Sequence, residues 1–314
     1  MSQEIVKNLS EIKLPSKELH LAIGMFDGVH LGHQSVIGAA LHSAKLENGI
    51  SGVLTFSPHP SHLFTPDNPT ELIMPPVLKY NFLKSLGVEY VFQKEFDMQF
   101  AQIEAEDFLP FLKKEFPMLT SVYVGENFKF GHFRKGDVKL LIESGKKLDV
   151  DVMSADRINH NGEPISSTRI RKFLGEGAIK EVNHLLGHHY YSELKVIDGE
   201  TRGRKFGFPT LNMQWNAELE PKFGVYGVIL SAQGSEEKWH GVANFGMRPT
   251  FGDIARPLIE VHLLEKGKEI LFGPGDVLQV EWLHFIRPEM KFDSVDELLK
   301  QIASDCTDAE RLLG

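Results

Sequence analysis

The sequence of 314 residues contains one cysteine, Cys306, and lacks any long apolar run. A single cysteine excludes an intrachain disulfide and a zinc site built from several cysteines. No stretch approaches the roughly 18 uninterrupted apolar residues of a membrane span, and the charged N-terminal segment lacks the apolar region of a signal peptide. We therefore expect a protein of a bacterial-type cytoplasm that has no membrane partner.

Basic residues are also in the minority. The chain carries 34 Lys and Arg against 43 Asp and Glu, which gives a formal net charge of −9. A general nucleic-acid-binding protein would present a basic face, so this balance argues against nucleic acid as a partner. An acidic protein that binds phosphates must gather its positive groups locally, and the runs Arg169–Lys172 and Arg202–Lys205 are such gatherings.

Apolar residues are plentiful enough for two hydrophobic cores, and the length predicts two domains. Up to about residue 187, short apolar runs alternate with amphipathic helical patterns, which is typical of βαβ units and a parallel sheet. Strands are expected at Leu19–Ile23, Gly52–Phe56, Tyr90–Gln93, Ser121–Val124 and Asp149–Met153. Helices are expected between them at 32–46, 76–86, 104–116 and 136–147.

The periodicity changes after two short helical patterns, Ile165–Leu174 and Ala178–Leu186. Short β-rich runs separated by Gly and Pro turns then predict an antiparallel barrel; they are Leu194–Ile197, Val225–Ser231, Trp239–Asn244, Leu258–Leu264 and Val277–Leu283. Two helices, 294–303 and 307–313, should cover its end. We predict an α/β protein with a Rossmann-like parallel-sheet domain over residues 1–187 and an antiparallel β-barrel domain over residues 188–314.

The most informative segment, residues 24–33, reads Gly-Met-Phe-Asp-Gly-Val-His-Leu-Gly-His and joins the first predicted strand to a helix. A strand, a tight loop and a helix N-terminus together present backbone N–H groups to a phosphate. Its glycines allow close approach or positive φ. His30 and His33 are three apart and share a helix face, where they can meet charge that grows on a phosphoryl group. The alternative interpretation is a Gly-rich turn with two surface histidines.

Three further motifs stand where open α/β sheets bind ligands, after predicted strands or at the start of a helix. They are Thr55-Phe-Ser-Pro-His-Pro60, Gly125-Glu-Asn-Phe-Lys-Phe-Gly131 and Ile165-Ser-Ser-Thr-Arg-Ile-Arg171. In the last, hydroxyls, free N–H groups and the Arg171 guanidinium together suit a triphosphate. Its three hydroxyl residues can also be simple helix N-caps.

The decapeptide resembles the Gly-x-Phe-Asp-Gly-x-His-x-Gly-His form of the motif found in the nucleotidyltransferase superfamily, and the last motif resembles the Ser-Ser-Thr-x-Ile-Arg segment of bacterial FAD synthetases. The resemblance implies transfer of AMP from ATP to FMN. The groups that would supply positive charge around the reacting phosphates are His30, His33, Arg171 and Mg²⁺. FMN phosphate is already anionic, so the attack needs no general base. The implied flavin and ATP site comprises Gly24, Phe26, Asp27, Gly28, Phe56, His59, Asn127, Phe128, Ser166, Ser167 and Thr168.

Several of these residues have a second interpretation. Phe56 and Phe128 can offer a face to the isoalloxazine ring or pack in the core, and for Phe130 the core interpretation is preferred. His59 stands between two prolines that restrict its loop, which suits binding, but a solvated loop histidine is the alternative.

A second glycine-rich run, Gly199–Asn212, lacks the Gly-Lys-Ser/Thr ending of a P-loop, which excludes an ordinary P-loop kinase. By itself it is a glycine-rich β-turn region. It resembles the Gly-Phe-Pro-Thr-x-Asn segment of riboflavin kinases. The resemblance implies that Thr210 and Asn212 hold the metal of Mg²⁺-ATP and that the binding residues include Gly203, Gly207 and Pro209.

The segment Ile259-Glu-Val-His262 resembles the same family and implies that Glu260 is a general base. Riboflavin's 5′-hydroxyl, unlike a phosphate, must lose a proton before it attacks. In an alternating strand, Glu260 can also merely face solvent. The chain departs from the family where His188 and His189 replace a common Arg-Pro pair and where Leu194 replaces a usual glycine.

The resemblance covers roughly residues 18–310 and implies a FAD synthetase with substrates ATP, FMN and riboflavin. Residues 1–187 would form the FMN adenylyltransferase domain, and residues 188–314 the riboflavin-kinase-like barrel. Three alternatives stand beside it. The kinase-like module can be inactive, the acceptor can be another phosphate such as a pyridine mononucleotide or phosphopantetheine, or the chain can be a flavin-binding regulator.

Overall fold

The computed structural model describes residues 14–199, 207–232, 234–247, 257–265 and 272–314. Contacts between Cα atoms divide the chain into two compact units, Met1–Ser167 and Thr168–Gly314. This division falls earlier than the domain boundary predicted at residue 187, because the second of two intervening helices is tied to barrel strands. Asn183 on that helix donates from Nδ2 to the Trp282 carbonyl at 2.8 Å and accepts from the Tyr190 N–H at 2.7 Å. The boundary at 187 stays a prediction.

The first unit is a parallel five-stranded sheet in the order β3-β2-β1-β4-β5, as predicted. Its strands are β1 (Leu19–Ile23), β2 (Ile50–Ser57), β3 (Tyr90–Glu95), β4 (Leu119–Gly125) and β5 (Asp151–Ala155). The helices are α1 (Leu31–Leu46), α2 (Ser61–Phe64), α3 (Pro76–Ser85), α4 (Met98–Ala101), α5 (Ala105–Glu115) and α6 (Val138–Leu148). A small hairpin follows, with β6 (Asn159–His160) and β7 (Glu163–Pro164). Each predicted strand and helix here is confirmed within three residues at its ends.

The central strand β1 is buried along its whole length, which explains why all of its residues except His20 are apolar. Alternate residues point to two cores, with Leu21 in one and Ala22 in the other. The chain leaves β1 for β2 on one side, while β4 pairs on the other side. The carboxyl ends of β1 and β4 therefore lie at the point where strand order reverses, which is where such sheets bind ligands.

The second unit is a closed barrel with the strand order β10-β11-β12-β9-β8-β13, which confirms the predicted fold class. Two helices precede it, α7 (Ser167–Glu176) and α8 (Ile179–Leu186). The strands are β8 (Tyr190–Ile197), β9 (Thr210–Gln214), β10 (Gly224–Ala232), β11 (Trp239–Met247), β12 (Pro257–Leu263) and β13 (Val277–Pro288). Sequence reasoning missed β9, whose five residues follow the glycine-rich run.

One prediction for the end of the chain is wrong. Residues 294–303 and 307–313 do not form two helices but belong to the single helix α9 (Val295–Leu313). The residues between them are helical as well. Within this stretch, Asp305 is buried and its carboxylate pairs with the Arg287 guanidinium on β13, with an Nη2–Oδ2 distance of 2.8 Å. Within the part of the chain that the structure describes, no helix has the length and apolar character needed to cross a membrane.

Candidate active site

The loop after β1 has an unusual backbone that its sequence permits. Phe26 has φ 49° and Gly28 has φ 76°, both in the left-handed region. The Phe26 ring folds back over Gly24, where an added Cβ would lie 3.0 Å from two ring carbons. Glycine at these two positions therefore allows the tight path from β1 into α1.

His30 and His33 stack on one another at the start of α1. Their ring centroids are 3.6 Å apart and their planes differ by 16°. The backbone N–H of His33 donates to Nδ1 of His30 at 3.3 Å, so His30 is the N-cap of the helix. Because Nδ1 is the acceptor, the proton of a neutral His30 ring lies on Nε2. His30 can therefore offer Nε2–H as a hydrogen-bond donor.

Both imidazoles are neutral at pH 7. Burial lowers the pKa of His30 from 6.5 to about 4. The pKa of His33 also lies well below its ordinary value, first because of burial and then because of the nearby His30 and Lys79. Without a bound anion the pair is therefore neutral, and its part in a positive field around the phosphates stays a prediction.

A cavity of about 860 Å³ opens beside the histidine pair within the first unit. It is lined by the loop after β1 and by the loop after β4. Sequence-predicted residues on its wall include His30, His33, Phe56, Asn127 and Phe128. Side chains that were distant in sequence thus meet at one apolar cavity with a few polar groups, as expected of a ligand site.

The aromatic wall of this cavity is larger than predicted. Phe56 packs against Phe100 with ring centroids 5.4 Å apart and meets the edge of Phe96 at 6.1 Å. Sequence reasoning missed Phe96 and Phe100, which lie after β3 in a segment without a recognised motif. The signal that could have found them is the series of apolar residues in a stretch where no helix or strand was predicted.

Phe128 and Phe130 extend the wall from the other side. Their rings stack with centroids 5.5 Å apart and planes 21° apart. Phe130 is 6% exposed and belongs to the core, as preferred, yet it also lines the cavity. Phe56 is likewise both a core residue and a lining residue, so the two interpretations of these rings are not exclusive.

Other predicted binding residues hold the protein's own loops. The Asp27 carboxylate accepts from the N–H groups of Ile73 and Met74 at 3.1 and 3.3 Å. His59 accepts the Ser61 N–H on Nδ1 at 3.2 Å and so closes its own turn. These contacts give Asp27 and His59 a structural role, and their part in ligand binding stays a prediction.

The hydroxyl motif stands at the start of α7. Ser167 donates from Oγ to the Asp27 carbonyl at 3.0 Å, which joins this motif to the loop after β1. Ser166 directly precedes the helix. Thr168 and Arg171 lie on α7 within the second unit, and their role toward ATP stays a prediction.

A buried cation near the histidine loop was also missed. Lys79 on α3 is 6% exposed, and its Nζ donates to the Met25 carbonyl at 2.9 Å. Burial lowers its pKa from 10.5 to about 8, against the opposing effect of the Asp27 charge. A signal was present: Leu83, one helical turn further on, is fully buried, so Lys79 occupies an apolar helix face.

In the second unit, the barrel ladder brings the predicted kinase residues together. Glu260 on β12 stands directly opposite Asn212 on β9 and Asn244 on β11. Thr210 stands opposite His262 in the next outward-facing pair. His262 donates from Nδ1 to the Pro209 carbonyl at 2.9 Å and so fixes the start of β9. Cross-strand neighbours lie about 5 Å apart, so these side chains share one polar face.

The glycine-rich run contributes partly to this face. Gly207 has φ 84°, a left-handed conformation that suits glycine. Gly203 lies outside the described residues. An added Cβ at Gly199 would lie only 1.9 Å from Nδ2 of Asn212, so the amide lies flat against that glycine. The predicted binding roles of Gly203, Gly207 and Pro209 stay predictions.

The departures from the family pattern have local explanations. Leu194 is fully buried and belongs to the barrel interior. His189 contacts the buried Glu281 carboxylate, with Nδ1 2.7 Å from Oε2, and Lys238 lies 3.0 Å from the other oxygen. Burial raises the pKa of Glu281, but these two partners outweigh it, and the pKa is lowered overall. The histidine therefore helps to keep a carboxylate ionised in the barrel wall.

Two family models match the chain, one described as FAD synthetase over residues 13–169 and one described as riboflavin kinase over residues 186–313. A bifunctional riboflavin kinase/FMN adenylyltransferase of Escherichia coli (strain K12) is 35% identical over 309 residues, which cover 98% of this chain and 96% of the relative. The protein of the same description from Bacillus subtilis (strain 168) is 36% identical over 297 residues, or 93% and 91%. A crystal structure described as a macrolide-efflux protein from Streptococcus pneumoniae matches with a TM-score of 0.86 at 30% identity, over 97% of each chain.

Proposed function

The chain belongs to the family of bifunctional riboflavin kinases/FMN adenylyltransferases, and we propose that it makes FAD from riboflavin in two steps. The barrel unit transfers the terminal phosphoryl group of ATP to riboflavin and gives FMN. The first unit then transfers AMP from a second ATP to FMN and releases pyrophosphate.

One observation carries the first activity. The stacked pair of His30 and His33 lines the same cavity as Phe56, Phe128 and their aromatic neighbours. The loop after β1 suits a phosphate, because it leads into a helix N-terminus. The aromatic wall suits a planar apolar ring. FMN and ATP together carry both kinds of group, which a cavity of about 860 Å³ can hold in part or whole.

The chemistry of adenylyl transfer needs alignment more than proton removal. A phosphate oxygen of FMN forms a bond to the α-phosphorus of ATP, and the bond from that phosphorus to the bridging oxygen of pyrophosphate breaks. Negative charge builds on the phosphoryl oxygens. His30 donates Nε2–H to that charge, and His33 adds a further donor. Preorganised donors in a site with little water stabilise such a transition state.

The second activity does need a base. Glu260 takes the proton of the riboflavin 5′-hydroxyl, and the freed oxygen attacks the γ-phosphorus while ADP leaves. The cross-strand neighbours Asn212 and Asn244 hold polar groups on either side of the carboxylate.

The residues near β9 also fit a magnesium ion. Oδ1 of Asn212 is buried and has no hydrogen-bond partner among the residues that the structure describes. Amide and hydroxyl oxygens are hard ligands of the kind that Mg²⁺ takes together with phosphates and water. Thr210 and Asn212 would hold the ion, which neutralises phosphate charge when bound.

Chromatography of the products tests both steps. The protein is incubated with Mg²⁺-ATP and either FMN or riboflavin, and flavins and pyrophosphate are measured. We expect FAD and equal pyrophosphate from FMN, and FMN followed by FAD from riboflavin. FAD from FMN alone, with riboflavin unchanged, would remove the kinase half of the proposal. Bound flavin without any turnover would favour a regulator and overturn both halves.

A further inference from the structure

A buried lysine lies beneath the loop that carries the histidine pair. Nζ of Lys79 donates to the Met25 carbonyl and to Oγ1 of Thr55, both at 2.9 Å. Thr55 donates in turn from Oγ1 to the same Met25 carbonyl at 3.0 Å. Lysine is rarely buried unless its charge is paired or used. The Lys79 ammonium and the Thr55 hydroxyl thus both donate to the Met25 carbonyl, and the ammonium also donates to that hydroxyl.

That carbonyl sets the path of the loop. Met25 directly precedes Phe26, whose left-handed backbone turns the chain toward α1. The Phe26 ring meets His33 edge-on, with centroids 5.3 Å apart, and His33 stacks on His30. A shift of the Met25 carbonyl would therefore move Phe26 and then the stacked pair.

Helix α3 is tied to the same loop a second time. The Asp27 carboxylate accepts from the N–H groups of Ile73 and Met74, which come just before the helix. Lys79 and Asp27 thus bind α3 and the loop from both sides. The two charges also favour each other, since the Asp27 carboxylate opposes the loss of the Lys79 proton.

We propose that Lys79 is a positioning residue for adenylyl transfer, which holds the Met25 carbonyl and thereby the stacked histidines in the arrangement that reacts. The inference rests on the proposed function of the first unit. Lys79 acts on the pair in a second way, through charge. Its ammonium, with burial and His30, holds the pKa of His33 low, and Asp27 is the opposing carboxylate.

The test compares Lys79→Met, Lys79→Gln and a matched control, Lys84→Met. Lys84 lies further along α3 and donates to the Glu89 carbonyl at 2.7 Å rather than to the histidine loop. We expect Lys79→Met to lower kcat for FAD formation about 30-fold with KM for FMN nearly unchanged, because small misplacement of reacting groups costs up to about 100-fold. Lys79→Gln keeps a donor and should recover part of the loss. Lys84→Met should match wild type.

An NMR titration of the histidine rings supplies a readout that a merely structural role would not move. Removal of the ammonium should raise the pKa of His33 in Lys79→Met and in Lys79→Gln, but not in Lys84→Met. Because Lys79 lies in the first unit, backbone amide NMR spectra of each variant serve as the folding control. Should wild type make no FAD, the proposed function fails while the titration still tests the effect of Lys79 on the pair.

Three results would overturn the inference. The first is an unchanged kcat in a folded Lys79→Met or Lys79→Gln protein. The second is a raised KM with unchanged kcat, which would make Lys79 a substrate-binding residue. The third is a His33 titration that is the same in all variants. If Lys79→Met fails to fold, Lys79→Gln carries the test.

Discussion

The two candidate sites are assembled in different ways. In the first unit, the residues come from loops after β1, β2 and β4, and they meet because parallel strands end at one edge of the sheet. In the second unit, Thr210, Asn212 and Glu260 stand on paired strands, and the ladder itself sets their spacing. A loop site therefore needs buried residues outside its motifs to hold it, and Lys79 is one of them. A ladder site needs an intact barrel.

The sharpest test of this contrast is Glu260→Gln, which keeps the shape and hydrogen-bonding capacity of the side chain but removes the base. Riboflavin phosphorylation should fall by about a thousandfold, since a general base contributes roughly 10²–10⁴ in rate. FAD formation from FMN should persist, because its nucleophile needs no base. Product chromatography with each flavin measures both activities. Full phosphorylation by Glu260→Gln would show that another group takes the proton.

A comparably large effect is expected at the ion pair that joins the last helix, α9, to the barrel strand β13. Asp305 accepts from Nε and Nη2 of Arg287 at 2.9 and 2.8 Å, and only 2% of Asp305 is exposed. Breaking one side of a buried ion pair costs about 3–5 kcal/mol. Asp305→Ala should therefore destabilise the second unit by that order and abolish riboflavin phosphorylation at a lower temperature than in wild type.

The control for that loss is Asp308→Ala. Asp308 lies on the same helix and pairs with Arg311 at 2.8 Å, but both side chains are largely exposed. An exposed pair contributes about 0–1 kcal/mol, so this variant should melt close to wild type. Equal melting of the two variants would show that the Asp305 pair is not what anchors the helix.

The two regions also differ in how much of them could be predicted. In the first unit, short apolar runs alternate clearly with amphipathic helical patterns, and strands and helices were found almost to their ends. In the second, β9 was missed because its five residues follow glycine and proline and include only two apolar side chains, Leu211 and Met213. Its place depends on pairing with β12, a contact distant in sequence.

The site shows the same limit. Motifs located His30 and His33, but the lowering of their pKa could not be read from the sequence, because it follows mainly from burial by the folded chain. The gap between the two helices predicted near Asp305 is wrong for a related reason. Asp305 pairs with Arg287 on β13, a contact that the local sequence does not reveal.

The histidine pair gives the next prediction. His30→Ala should lower FAD formation about a hundredfold, because losing one preorganised donor to a phosphoryl transition state costs roughly 3 kcal/mol. Riboflavin phosphorylation should stay near wild type, since Glu260 and its neighbours lie in the other unit. The matched control is His42→Ala, on the same helix but after its first turns. Turnover of His30→Ala close to that of His42→Ala would remove His30 from the catalytic set.

The smallest effect follows from the pKa of His30 and concerns stability rather than rate. Its pKa is lowered to about 4 by burial in the folded protein, whereas the unfolded chain keeps the ordinary 6.5. Between these values the unfolded state binds a proton that the folded state does not, so the free energy of unfolding must fall as the pH falls. At pH 5.5 the loss is about 1.4 kcal/mol, one unit below the unfolded pKa. The term vanishes above about pH 7, where both states are neutral.

Denaturant unfolding of wild type and His30→Ala at pH 5.5 and pH 7.5 isolates this term, because the variant lacks the titrating ring and all other groups are shared. The first unit of the variant should lose less stability on acidification than wild type, by about 1 kcal/mol, since His33 retains its own dependence. Equal losses in the two proteins would mean that His30 is protonated in the fold near pH 5.5. The assignment of His30 as a neutral hydrogen-bond donor, which distinguishes the loop site from the Glu260 site of the barrel, would then be wrong.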